Sequence, residues 1–191
     1  MIVSLVVENF RSIKERTEFS LMASGSAGHL DEHVYRDESI SFGVLRSAGI
    51  YGANASGKSN LLMAFEAIKC IATETGRLKD EESIPCYEPY LLSEEMRKSP
   101  VSFEVEFITK DKLRFNYKVK FNRSEVIEES LDYYPSKNKA NLFKRDESDD
   151  WESIKFGSHY KGGSKRIAFF KNNSYLAKAG DNASSPEIIK T

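Results

Sequence analysis

Glutamine does not occur in this chain of 191 residues, and there are only two cysteines, one tryptophan and five prolines. Cys70 and Cys86 make neither a zinc spacing nor a disulfide framework; they suit a reducing cytosol, and a cytoplasmic location is expected. No apolar run approaches the ~18 residues of a membrane span, so no membrane partner is expected. Met1-Ile2-Val3 runs into Glu8 and Arg11 without a basic start, a long apolar stretch or a cleavage site, which excludes a secretory signal. An excess of one charge sign is missing too: 28 Lys and Arg face 29 Asp and Glu, for a net charge of -1. The whole chain therefore makes no case for nucleic acid or anionic lipid, and only a local basic patch is left open. Hydrophobic residues at 40% and aromatics at 12% exclude a disordered or collagen-like chain. At this length folding buries roughly two thirds of the unfolded surface, enough for a real core.

The pattern along the chain changes period. Ile2 to Val7 is a β-branched apolar run, and Glu8 to Ser12 breaks it, which predicts a buried strand and a polar turn. Thr17 to Met22 reads as a second strand, Ala23 to Phe42 as loop, and Ser47 to Tyr51 as a short buried strand. From Ser59 a helix is expected, with Leu61, Phe65, Ile68 and Ala72 on one face and Gly76 ending it. Residues 77–100 read as a charged linker punctuated by proline, anchored by Tyr87, Tyr90, Leu91 and Leu92. After Pro100 the period becomes two: Val101 to Phe107 and Leu113 to Phe121 alternate apolar with polar, as half-buried antiparallel strands do. A three-residue loop Lys110-Asp111-Lys112 sets Phe107 opposite Phe115 and Glu104 opposite Lys118. Val126 to Tyr134 is a third strand; Leu142-Phe143 and Ile167 to Phe170 are weaker ones, and Asn173 to Lys178 begins a helix. The organisation expected is a nucleotide-binding core over 1–76, a linker over 77–100 and an antiparallel β-rich part over 101–191, cut short before a second lobe.

Chemistry concentrates in Gly52-Ala53-Asn54-Ala55-Ser56-Gly57-Lys58-Ser59, which matches G-x-x-x-x-G-K-[ST] with a strand expected before it and a helix after it. Glycine lets the backbone turn where a side chain would obstruct it. The N–H groups from Asn54 to Ser59 then form an anion nest at a helix N-terminus, where the helix dipole also favours negative charge. In this P-loop reading Lys58 reaches the β- and γ-phosphates of ATP and the Ser59 hydroxyl holds Mg²⁺. The motif alone does not choose among nucleotide-dependent enzymes. A small-molecule kinase usually carries it nearer the N-terminus, and is kept as the weaker alternative. A GTPase would show N-K-x-D, which Asn138-Lys139-Ala140-Asn141 lacks.

Leu5-x-x-Glu8-Asn9-Phe10-Arg11-Ser12, followed by Tyr51 through the loop to Asn60-Leu61-Leu62, resembles the ATP-binding heads of the SMC, RecF and OLD group of ABC-type ATPases. More narrowly it is similar to bacterial AAA-type ATP-binding proteins of the OLD-like kind, found in phage-defence modules. Pro89-Tyr-Leu-Leu, Pro100 to Phe107, Glu129 to Pro135 and Leu142 to Arg145 look like that subgroup as well. The resemblance implies an α/β fold: a P-loop NTPase lobe with a mixed sheet around the P-loop helix and an adjoining antiparallel β-subdomain. It implies ATP and Mg²⁺ as cofactors, with Gly52, Asn54, Ala55, Ser56, Gly57, Lys58, Ser59 and Asn60 around the nucleotide. It also implies that Arg11 contacts phosphate and that Ser12 borders the base. Heads of this kind dimerise around nucleotide and gate an effector protein or domain, and nucleic acid is left open as a partner.

The departures from that pattern are as informative. No apolar strand ends in the Asp-Glu pair that hydrolysis needs; Glu128-Glu129 and Asp149-Asp150 lie in the wrong context. There is no signature of the LSGG kind, no switch His and no Gln to stand by Mg²⁺. The expectation is an ATPase parent whose lobe is inactive by itself; the alternative is a non-catalytic nucleotide-sensing or assembly module. His29 and His33 with Asp31 and Glu32 read as solvated loop rather than a metal site, because Gly25 and Gly28 argue against the helix they would need. Lys161 to Arg166 beside Tyr160 and Phe169-Phe170 has the make-up of a nucleic-acid patch, and equally of a glycine-rich turn, which is the reading adopted. Trp151 is expected to anchor a core or an interface.

Overall fold

The computed structural model describes residues 1–24, 31–38, 40–146 and 152–190. His29, Asp149, Asp150 and Trp151 lie outside the described residues. Alternating apolar residues dominate from Val101 onward, and they build one seven-stranded sheet. Its order is β2 (Thr17–Ser20), β1 (Ile2–Glu8), β5 (Val101–Ile108), β6 (Arg114–Phe121), β7 (Val126–Tyr134), β8 (Ala140–Arg145), β9 (Lys155–Phe156). β3 (Val34–Tyr35) and β4 (Val44–Leu45) form a separate antiparallel pair. Every pairing described is antiparallel, where a mixed sheet is expected from the sequence. β1 pairs directly with β5, so the first strand and the β-rich part share a sheet.

The parity argument for the central hairpin holds. Phe107 lies opposite Phe115 with stacked rings 5.5 Å apart, and Glu104 lies opposite Lys118 with an ion pair of 2.9 Å. One sheet face therefore carries apolar side chains such as Val105, Phe115, Tyr117 and Leu131 into the core. The helices cover that face: α1 (Lys58–Thr73), α3 (Tyr175–Gly180) and α4 (Glu187–Lys190), while α2 (Glu94–Lys98) is a short turn of helix in the linker.

Four expectations are corrected. Ser47 to Tyr51 forms no strand and is exposed, Tyr51 at 94%. A strand needs a neighbour for its N–H and C=O groups, and no described strand runs beside this one. Ile167 to Phe170 is irregular as well. Side chains replace a ladder there: Arg145 donates to the Lys171 carbonyl, and Asn173 accepts from the Phe170 N–H at 2.9 Å. α1 ends at Thr73 with Glu74 as its cap, and Gly76 sits in the following 3-10 turn, Thr75–Arg77. A Cβ on Gly76 would stand 2.9 Å from the Ala177 carbonyl carbon, so this glycine permits the close approach of α3. The buried face of α1 is Ala64, Ala67, Ile68 and Ile71, because the two small alanines let the helix settle onto the sheet. Phe65 and Ala72 instead border an apolar cavity of about 610 Å³ between α1, the sheet, α3 and α4.

In the linker, Ile84, Cys86 and Pro89 are buried, and Tyr87 and Tyr90 are half-buried. Leu91 and Leu92 are exposed rather than anchoring. Among the described residues no helix is long and apolar enough to cross a membrane.

Candidate functional site

The end of β1 turns sharply: both Asn9 and Arg11 adopt left-handed backbone angles, with φ of 55° and 52°. Asparagine tolerates that region better than most residues, and here its side chain is also employed. Asn9 is buried; its amide donates to the carbonyls of Met96, Ser99 and Pro100, and its oxygen accepts from the Tyr90 N–H at 3.0 Å. One side chain thus ties the linker to the first strand. Arg11 is held by the same linker: its N–H donates to the Glu88 carbonyl at 2.8 Å, and its guanidinium pairs with the Glu88 carboxylate at 2.8 Å.

Ser12 faces the other way, toward the glycine-rich loop. A Cβ on Gly57 would lie 3.1 Å from the Ser12 hydroxyl, and Gly57 has a φ of 95°, a conformation that glycine adopts without strain. Gly57 stands at the N-terminus of α1, which runs for 16 residues. Asn60, in the first turn, donates to the Ser12 hydroxyl at 2.6 Å. Within the loop, Ala55 is left-handed as well, with φ of 63°. The Ser56 N–H closes a turn onto the Ala53 carbonyl at 3.3 Å. The Lys58 ammonium folds back over the loop and donates to the carbonyls of Gly52 at 2.8 Å and Ala53 at 2.7 Å. The backbone N–H groups of Gly57, Lys58 and Ser59 donate to no acceptor among the described residues. Free amides at the start of a long helix, beside an ammonium that only carbonyls hold, make a place for an anion.

Residues 47–190 match the family described as "AAA domain, putative AbiEii toxin, Type IV TA system", and this is about three quarters of the chain. The chain belongs to this AAA-domain family. Membership is consistent with nucleotide binding, and the matched stretch begins just ahead of the loop at Gly52. No curated protein and no solved structure matches the chain.

Of the residues singled out from the sequence, the structure brings Gly52, Gly57, Lys58, Ser59 and Asn60 of the AAA domain into one neighbourhood with Ser12, which precedes the matched stretch, and leaves Asn54, Ala55 and Ser56 on the exposed arc of the loop. The Arg11 guanidinium is directed to Glu88. Among the described residues no group of three or more His, Cys, Asp and Glu could hold a metal, and Asp31–His33, expected as loop, is one turn of 3-10 helix.

Sequence reasoning missed a buried polar clip across the core. Glu129 is fully enclosed, and its carboxylate accepts from the Tyr175 N–H at 2.6 Å, the Leu176 N–H at 2.9 Å and the Tyr117 hydroxyl at 3.0 Å. Burial pushes its carboxyl above the ordinary range, against the pull of Arg145 and those donors. Arg145 donates to the Asn173 carbonyl at 2.9 Å, and Asn173 reaches the carbonyls of Thr75 and Leu78 just past α1. The clip fixes the far end of α1, as Ser12 and Asn60 fix the near end. Alternation along the strand does set Glu129 on the core face with Leu131 and Tyr133, but it names none of the distant donors that meet the carboxylate there.

Proposed function

We propose that the chain binds ATP with Mg²⁺ through Gly52 to Ser59, as the nucleotide-binding lobe of an ATPase of the OLD, RecF and SMC-like ABC type. The observation that carries this reading is the run of amides at Gly57, Lys58 and Ser59 with no acceptor among the described residues, in a loop whose Gly52 and Ala53 carbonyls hold the Lys58 ammonium. Lys58 would leave the Gly52 and Ala53 carbonyls for the β- and γ-phosphates. The amides from Asn54 to Ser59 would take the remaining phosphate oxygens, and the Ser59 hydroxyl would hold the metal. Asn60 and Ser12 position the first turn, and Arg11 would approach the phosphates from the Glu88 side.

In the complete protein two heads would close around nucleotide and gate an effector or partner in the cytoplasm. The toxin–antitoxin wording of the family description supports a defence role. Tyr51 and Leu62 lie exposed on either side of the loop, and such apolar surface suits a second lobe or a second head. A second reading, a sensing or assembly module whose bound ATP is structural, draws on a specific observation: no described acidic side chain hydrogen-bonds to the loop, where hydrolysis would need a carboxylate. Titration of ATP with Mg²⁺ against wild type and Lys58→Ala tests the shared step. Unchanged affinity in the variant removes the nucleotide assignment.

A further inference from the structure

From Ser153 to Gly180 the chain has six lysines and arginines and not one Asp or Glu. With the whole chain at -1 and this stretch at +6, the remainder stands at -7. Two of the six cations are occupied: Lys155 pairs with Asp146 at 2.8 Å, and Lys178 donates to the Gly76 carbonyl at 3.0 Å. The other four, Lys161, Lys165, Arg166 and Lys171, are exposed, and their side chains meet no acid and no acceptor among the described residues. The sheet is different: there Lys118, Lys120 and Lys144 each pair with a carboxylate.

The backbone beneath these four cations is fixed. Gly162 and Gly163 turn the chain with φ of 74° and 62°, and the Ser164 N–H donates to the Ser184 carbonyl at 2.6 Å. The buried Tyr160 hydroxyl donates to that of Tyr175, which donates to the Lys165 carbonyl at 2.6 Å. Phe169 packs edge-on against Tyr175, with the Arg145 guanidinium 4.7 Å from its ring. The Lys171 carbonyl accepts from the Val126 N–H at 2.8 Å. The aromatic residues beside the cations thus divide. Tyr160 and Phe169 hold the loop to the core, while Phe170 is 45% exposed with its N–H held by Asn173.

We propose that residues 161–171 bind single-stranded nucleic acid, with Lys161, Lys165, Arg166 and Lys171 on backbone phosphates and the Phe170 ring stacked on a base. The inference does not rest on nucleotide binding. Asn173 ties this loop to Thr75, just past the end of α1, and the glycine-rich loop lies at the other end of that helix. A run of phosphates uses four cations that have no acid among them, and the counter-ions it releases drive association. The net negative charge of the remainder confines a polyanion to this loop. A single strand fits better than a duplex, because the loop is irregular, offers no helix or ribbon to a groove, and holds one flat ring in the open. An anionic membrane fits less well. Among the described residues between Lys161 and Lys171, only Phe170 exposes a large apolar side chain, and lipid surfaces call for an apolar face as well as charge.

The experiment reads the fluorescence anisotropy of a short labelled oligonucleotide of mixed sequence, single-stranded or annealed to its complement, against the full chain at several salt concentrations. Wild type is expected to bind the single strand more tightly than the duplex. Four phosphate contacts set the slope of log affinity against log salt at about -2.8, a loss of about 50-fold from ~50 to ~200 mM salt. Lys165→Gln together with Arg166→Gln is expected to halve that slope. Phe170→Ala is expected to weaken binding by about 5- to 150-fold at every salt concentration and to keep the slope. All three side chains are exposed, and a urea melt checks that the variants fold. No binding, equal or tighter binding to the duplex, a slope untouched by the double variant, or a Phe170→Ala that binds as wild type does would each overturn the proposal. So would binding to phosphatidylserine vesicles or to polyglutamate in place of the oligonucleotide, which would assign the loop to a membrane or to an acidic protein.

Discussion

The Asn60 side-chain amide donates to the Ser12 hydroxyl at 2.6 Å, joining the first turn of α1 to the turn after β1 across 48 positions of sequence. The bond sits beside Gly57, so it sets where the loop's free amides point. A neutral hydrogen bond of this kind is worth about 0.5–1.5 kcal/mol, roughly two- to twelvefold in affinity. Ser12→Ala and Asn60→Ala should each weaken ATP by that amount, and the double variant by no more than either alone. Additive losses in calorimetric titrations would show that the two residues act separately.

If Lys58 addresses phosphate, Lys58→Ala removes a charge-assisted bond worth about 1.5–3 kcal/mol, and ATP affinity should fall on the order of 10- to 150-fold. ADP should be weakened as well. The measurement is titration of both nucleotides with Mg²⁺, paired with a urea melt to show that the variant remains folded.

Arg11 and Glu88 form an exchangeable pair, since both are substantially exposed. If Arg11 addresses phosphate, Arg11→Ala weakens ATP by about tenfold or less, and the deficit shrinks in high salt. Glu88→Gln should then strengthen ATP at low salt, because the guanidinium is released. Unchanged affinity in both variants would leave Arg11 as a linker strap alone.

Asn9→Ala empties a buried position whose side chain makes four hydrogen bonds to the linker. Leaving those partners unpaired should cost about 2–4 kcal/mol of stability. The urea midpoint should drop, and residues 90–100 should become open to limited proteolysis.

Burial raises the Glu104 carboxyl, but hydrogen bonds from Lys118 and Asn116 outweigh it and hold the group below its ordinary value. The folded value is the lower one, so this group's contribution is complete above the unfolded value of about 4.3 and is lost as pH falls through the folded value. Glu104→Gln should therefore lower stability at neutral pH and flatten the acid limb of the curve. Urea midpoints from neutral to acid pH check the sign; an equal loss at every pH would contradict it.

The β-rich half is legible because its rule is local. Alternation fixes which side of each strand is apolar, and the parity of the Lys110 to Lys112 loop then sets Phe107 against Phe115 and Glu104 against Lys118. The glycine-rich loop is legible for the same reason, since G-x-x-x-x-G-K-S specifies its own backbone turn and the start of α1. Ser47 to Tyr51 was not: an apolar run states a preference for extended backbone, and only a neighbour makes it a strand.

The sequence by itself determined the period of the central strands, the central hairpin's register and the glycine-rich loop with the start of the helix after it. Those features depend on residues a few positions apart. Tertiary structure alone decided the partners. It turned Arg11 to Glu88, buried Asn9 among the carbonyls of Met96, Ser99 and Pro100, and enclosed Glu129 among the donors of Tyr117, Tyr175 and Leu176. Each of these joins positions far apart in the chain, and a side chain's composition does not say which distant donor or acceptor the packing will bring within reach.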